Sequence, residues 1–108
     1  MNDWRERVGN TALAVRRGIF FEKGTAVSVK ALFYLPRPGG LPKRVVEHVK
    51  QPDLDKLNRA IGDALTHVLW HDDAQIVEWW TRKVYATEGA CYVAISVAEV
   101  PHGTRRHV

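Results

Sequence analysis

The hydrophobic periodicity of this chain predicts an α/β fold of the α+β kind, with two helices against a small mixed sheet in the order α-β-α-β-β. Three observations predict it. Apolar residues recur at helical spacing over Trp4–Arg17 and again from Leu57 to Val68. Between these stretches, Ala26–Leu35 alternates with period two. Beyond the second helix, two strand-like runs follow, Gln75–Tyr85 and Ala90–Val100.

In the first helix Trp4, Val8, Ala12 and Val15 mark one face, and Gly18 supplies a stop. Arg5, Arg16 and Arg17 are expected on its solvated side, with phosphate contact as the sharper alternative. Ile19–Thr25 reads as a connector. The strand Ala26–Leu35 sets Val27, Val29, Ala31, Phe33 and Leu35 against Ser28, Lys30 and Tyr34, the mark of a half-buried strand.

Residues 36–51 begin with PRPGGLP and should form an exposed loop. Arg37, Lys43, Arg44 and Lys50 make this the most basic stretch, tempered by Glu47. It is either a mobile connection or a clamp on a DNA backbone, where cations supply most non-specific affinity. A helix over about Leu54–His67 then buries Leu57, Ile61, Ala64 and Leu65, with Val68 next in the series, and carries Asp55, Arg59 and Asp63 as a polar stripe.

The last two strands, joined by a short turn at Thr87–Gly89, read as an antiparallel hairpin. Cys91, Val93, Ile95 and Val97 form the apolar face of the second. Trp79 and Trp80 point to opposite sides of the first, so one of them is exposed or lies at an interface. His102–Val108 is a polar tail in which Arg105 and Arg106 touch DNA weakly if at all. Among the histidines only His71, beside the aspartates, sits near candidate chemistry, and an exposed bystander is its expected role.

A chain of 108 residues makes one domain, spanning 1–108, with room for a single core. Its 45% hydrophobic and 26% charged residues exclude wholesale disorder. A net charge of +4 permits a polyanionic partner. The single cysteine, Cys91, excludes an intrachain disulfide and a thiolate metal site. There is no signal peptide and no apolar run of membrane-spanning length, so the expected location is the cytoplasm and no membrane partner is expected.

The chemistry concentrates in Gln51–Lys83. Asp53 and Asp55 follow Pro52 where a helix should begin, and an Asp72–Asp73 pair follows its end. The helix is roughly 20 Å long, and Val68–Asp73, fully extended, reaches roughly as far. If Val68–His71 runs back along the helix, Asp73 returns to the end that carries Asp53 and Asp55. Two unit charges 4 Å apart repel by about 4 kcal/mol at an effective dielectric of 20. Three gathered carboxylates therefore want a divalent cation, and an all-oxygen site suits magnesium or manganese. The plainer alternative makes Asp53 an N-cap, Asp55 a dipole-compensating surface residue and Asp72–Asp73 a turn.

Taken whole, PDLDKLNRAIGDAL…WHDDAQI…K resembles the signature of the RusA-type Holliday-junction resolvases. The likeness spans Pro52 to Lys83, about a third of the chain. It implies a RusA-like fold and a small, homodimeric, Mg²⁺-dependent endonuclease that acts on four-way DNA junctions, in a family often carried by phages. It also implies that Asp53, Asp55 and Asp73 are the catalytic metal ligands, and Asp63, Gln75 and Lys83 match recurrent family positions. Lys56 stands where the family has Asn, Arg59 where it has Lys, and Gln51 where a basic residue often precedes the Pro. The family's usual N-terminal strand has no counterpart before the first helix.

Arg59, one turn beyond Asp55, is then the catalytic cation. As an arginine it stays charged and acts as an electrostatic clamp rather than a proton carrier. Arg37, Lys43, Arg44, Lys50, Lys56 and Lys83 are the candidate DNA contacts. Two other classes stay open: a junction-binding protein with weak or no catalysis, and a structural partner subunit.

Overall fold

The most apolar strand takes the centre of the sheet. The computed structural model describes residues 2–87 and 92–101. Its elements are α1 (Asn2–Val15), β1 (Val27–Leu35), α2 (Leu54–Leu65), a 3-10 turn (Asp73–Gln75), β2 (Ile76–Tyr85) and β3 (Tyr92–Glu99). Helices and strands follow the predicted order. The strands are arranged β2-β1-β3, with β1 parallel to β2 and antiparallel to β3, so the sheet is mixed as expected.

The expected hairpin is not formed, because β1 lies between the last two strands. A strand, a helix and a second strand in succession favour a parallel pair, which brings β2 to one edge of β1. The row Val27, Val29, Ala31, Phe33 and Leu35 is buried throughout. Pairing β3 with β2 would leave β1 at an edge, with half of its backbone groups unpaired and that row less well covered. On the free edge of β1, β3 adds Val93, Ile95 and Val97 to the same apolar side. Glu88–Cys91, and with them Cys91 and part of the predicted turn, lie outside the described residues, as does the tail His102–Val108.

Both helices cover that apolar side. From α2 come Leu57, Ile61, Ala64 and Leu65, all buried against the row of β1. Trp4, Val8 and Ala12 of α1 pack on the same cluster, as expected, whereas Val15 is exposed. The two helices approach closely at Gly9, where an added Cβ would stand 3.0 Å from the Ala64 carbonyl oxygen. Two of the arginines expected on a solvated face hold this packing instead. Arg5 pairs with Asp63 at 3.5 Å, and Arg16 Nη1 donates to the Val68 carbonyl at 3.0 Å.

The second helix ends two residues earlier than predicted. The Thr66 hydroxyl donates to the Gly62 carbonyl at 2.6 Å, and Thr66 itself is extended. His67 then turns with φ 72°, and the chain closes on Trp70, which is wholly buried and donates from its indole to Thr66 Oγ1. Residues 68–71 therefore form a tight turn at the end of α2 and do not run back along it. The return is made by β2. Asp73 lies against Gly62, Thr81 donates to Asn58 Oδ1, and Lys83 reaches Pro52.

Candidate active site

The site is built on the exposed side of α2. Asp53 occupies the N-cap position with extended backbone (φ −72°, ψ 153°), yet its side chain makes no capping bond. An aspartate at this place ordinarily accepts a backbone N–H, so its carboxylate is left for other partners. Asp55 is the acidic residue of the first turn, where the helix dipole favours negative charge. Lys56 and Arg59 follow, and all four side chains are exposed.

The aspartate pair divides its labour. Asp72 is the turn residue of the plainer reading: its side chain accepts the Ala74 N–H at 2.9 Å and caps the 3-10 turn. That hydrogen bond is the main reason its carboxyl is held below the ordinary value. Asp73 is exposed, and its carboxylate would stand 3.9 Å from a Cβ on Gly62. Gly62 is seven residues beyond Asp55 on the same side of the helix, about 10 Å along its axis.

Asp73 thus shares a helix face with Asp55 and Arg59 but stands at a different level. Among the described residues no group of three or more His, Cys, Asp or Glu side chains is gathered to hold a metal ion. In kind, the donors suit a hard cation: carboxylate oxygens alone, exposed, with Asp53 uncommitted to a cap.

The turn carrying Asp73 is fixed by Gln75, which is buried. Its Oε1 accepts the backbone N–H groups of His71 and Asp72, at 2.8 and 3.0 Å. Its Nε2 donates to the carbonyls of Phe21, Glu22 and Thr25. One amide therefore ties the acidic turn to the connector after α1. The motif marks Gln75 as recurrent without saying what it does. A polar amide opening an otherwise half-buried strand is the signal that a buried network sits there.

Several predicted DNA contacts have structural partners. The guanidinium of Arg37 donates to the Ala86 and Pro42 carbonyls and lies over the Tyr85 ring, 5.5 Å from its centroid. Lys83 donates to the Lys50 and Pro52 carbonyls, bracing the approach to α2, where the Gln51–Pro52 bond is cis. Lys43, Arg44 and Lys50 are exposed. Their loop is anchored rather than free. The Tyr85 N–H donates to the Val46 carbonyl, Glu47 bridges to Val84, and His48 packs on Tyr85 with ring centroids 4.7 Å apart. His71 lies 3.5 Å from Glu22 and edge-on to Phe20, on the surface as expected.

A family model, that of endodeoxyribonuclease RusA, matches residues 1–96. The chain belongs to that family. The match covers nearly all of the described fold, from α1 through most of β3, and so extends far beyond the motif that suggested it. RusA-family proteins are metal-dependent endodeoxyribonucleases that resolve branched DNA. No match was found among curated proteins. Among the described residues no helix is long and apolar enough to cross a membrane.

Proposed function

We propose that this protein is a Mg²⁺-dependent Holliday-junction resolvase, working as a homodimer in the cytoplasm, in which Asp53, Asp55 and Asp73 hold one or two metal ions. The observation that carries this reading is the Asp53 side chain, which stands at an N-cap without capping. The ordinary structural reason for an aspartate there is missing, whereas Asp72 shows what a capping aspartate in this chain looks like. Asp55 lies beside Asp53, and Asp73 is the third carboxylate on the same helix face. Bound Mg²⁺ would acidify a water and shield the leaving 3′ oxygen; manganese would serve the same donors.

The protein's own groups do the rest. Arg59, one turn from Asp55, holds the scissile phosphate and opposes its growing negative charge. Lys56 flanks it, and Lys43, Arg44 and Lys50 hold the neighbouring backbone. A two-fold dimer presents two such sites, which suits paired nicks on opposed strands of a four-way junction.

One gel experiment tests the reading. A four-way junction should be cut with Mg²⁺, not with EDTA, and in preference to linear duplex. Asp55→Asn should abolish cutting while junction binding stays intact or tightens, because the lost charge no longer repels phosphate. Cleavage by Asp55→Asn at the wild-type rate would reduce Asp55 to a helix-start residue. Titration of Mn²⁺ into wild type and Asp73→Asn separates the third carboxylate from the first pair: weaker binding in the variant assigns Asp73 to the metal.

A further inference from the structure

The sheet has a second face that neither helix covers. Both helices lie on the side of Val27, Val29, Ala31, Phe33 and Leu35. On the opposite side the register sets Lys30 between Trp80 and Ser96, Leu32 between Arg82 and Ala94, and Tyr34 beside Tyr92. Trp80 is 65% exposed and Tyr92 is 52% exposed. The Tyr34 and Tyr92 rings stack at 4.3 Å, with an interplanar angle of 19°.

Along β3 the outward residues are Ala94, Ser96 and Ala98, all exposed. These small side chains form a low row along the edge strand. The tyrosine pair stands at one end of it, and Trp80 stands across the sheet, roughly 16 Å from Tyr92 by strand spacing and rise. Lys30 and Arg82, both exposed, lie between these aromatics.

We propose that this face is a second nucleic-acid surface, one that takes unpaired nucleotides. Bases stack on Trp80 and on the Tyr34–Tyr92 pair, and Lys30 and Arg82 meet the phosphates between them. Exposed aromatics interleaved with cations are the chemistry that single strands select. A closed duplex keeps its base faces stacked inside and has nothing to offer the rings.

A second copy of the chain fits this face less well. It would strip water from Lys30 and Arg82. On these strands the one carboxylate on this side, among the described residues, is Glu78, which accepts the Ser28 hydroxyl at 2.8 Å. The surface lies on the opposite side of the sheet from α2, so the inference goes beyond the metal-site reading and does not depend on it.

Binding of a labelled oligothymidine, followed by fluorescence anisotropy in EDTA, tests it. Wild type should bind. Trp80→Ala and Tyr92→Ala should each weaken binding about tenfold, and Trp80→Phe should restore most of the loss. Lys30→Ala with Arg82→Ala should also flatten the salt dependence. Circular dichroism checks that the exposed-site variants fold. Wild-type affinity in Trp80→Ala overturns the proposal. So does a change of oligomeric state in sedimentation with oligothymidine affinity unaltered, which would assign the face to self-association. Failure of the metal-site reading looks different: a wild-type protein that leaves junctions uncut with Mg²⁺ yet binds oligothymidine as described.

Discussion

Gln75 shows how much one side chain can organise. Its amide reaches five backbone groups of segments that carry or border the acidic turn, with Oε1 accepting two N–H groups and the two hydrogens of Nε2 shared among three carbonyls. Gln75→Leu keeps the bulk but leaves two N–H groups and three carbonyls without that partner. Each buried unsatisfied group costs about 1–3 kcal/mol, so a loss of about 3 kcal/mol or more is expected in urea denaturation. Arg59 is a residue of the opposite kind, exposed on α2 and proposed to meet the phosphate. Arg59→Lys should stay active, since either cation reaches the same phosphate. Arg59→Ala should slow cleavage by roughly 10²-fold, about 2.7 kcal/mol of transition-state stabilisation, with smaller damage to junction affinity. Unchanged turnover in Arg59→Ala would make the residue a solvated helix charge, where ion pairs contribute about 0–1 kcal/mol.

At the scale of elements, helices and strands were legible because each buries one face, and burial imprints a period on the letters. Leu57, Ile61, Ala64 and Leu65 announced α2, and the five buried apolar residues of β1 announced that strand. Which strands are neighbours was not legible. Period two is the same for a hairpin and for strands separated by β1, and the choice rests on which edge needs covering. Backbone partners were equally hidden. Arg16 read as a solvated charge, and Arg37 and Lys83 as DNA contacts, yet each donates to main-chain carbonyls, which carry no letter in a sequence. The family motif was legible as a set of residues, but the path by which Asp73 reaches α2 was not. The helix pair supplies a sharp test of packing. Gly9→Ala gains about 1 kcal/mol of helix propensity. It also sets a Cβ 3.0 Å from the Ala64 carbonyl oxygen, a backbone atom that cannot swing aside. Overpacking costs about 1–3 kcal/mol, so the variant should melt lower than wild type. A higher melting temperature would mean that α1 shifts on α2 without penalty.

For the whole molecule the governing quantity is charge and where it is left free. The net +4 of the chain favours DNA only through cations that phosphates can reach. In the loop over residues 36–51 the structure divides them. Arg37 is held by the Ala86 and Pro42 carbonyls and by the Tyr85 ring, whereas Lys43 and Arg44 are exposed on a segment anchored to β2. Each phosphate contact on duplex arms contributes about 0.9 to the slope of log affinity against log salt. Replacing Lys43 and Arg44 together by Ala should therefore reduce that slope by about 1.8, with little change in stability, because exposed side chains away from packing contribute little to folding. Arg37→Ala should do the reverse. It removes two hydrogen bonds, at about 0.5–1.5 kcal/mol each, and a cation–π contact of about 0.5–1 kcal/mol. The protein should be less stable by about 2 kcal/mol, and any weakening of binding should come without a change of slope. Junction affinity measured across a salt series, beside urea denaturation of the same variants, checks both halves. A slope lowered by Arg37→Ala and untouched by the double variant would move the DNA path off the exposed tip of the loop and onto the Tyr85 end of β2.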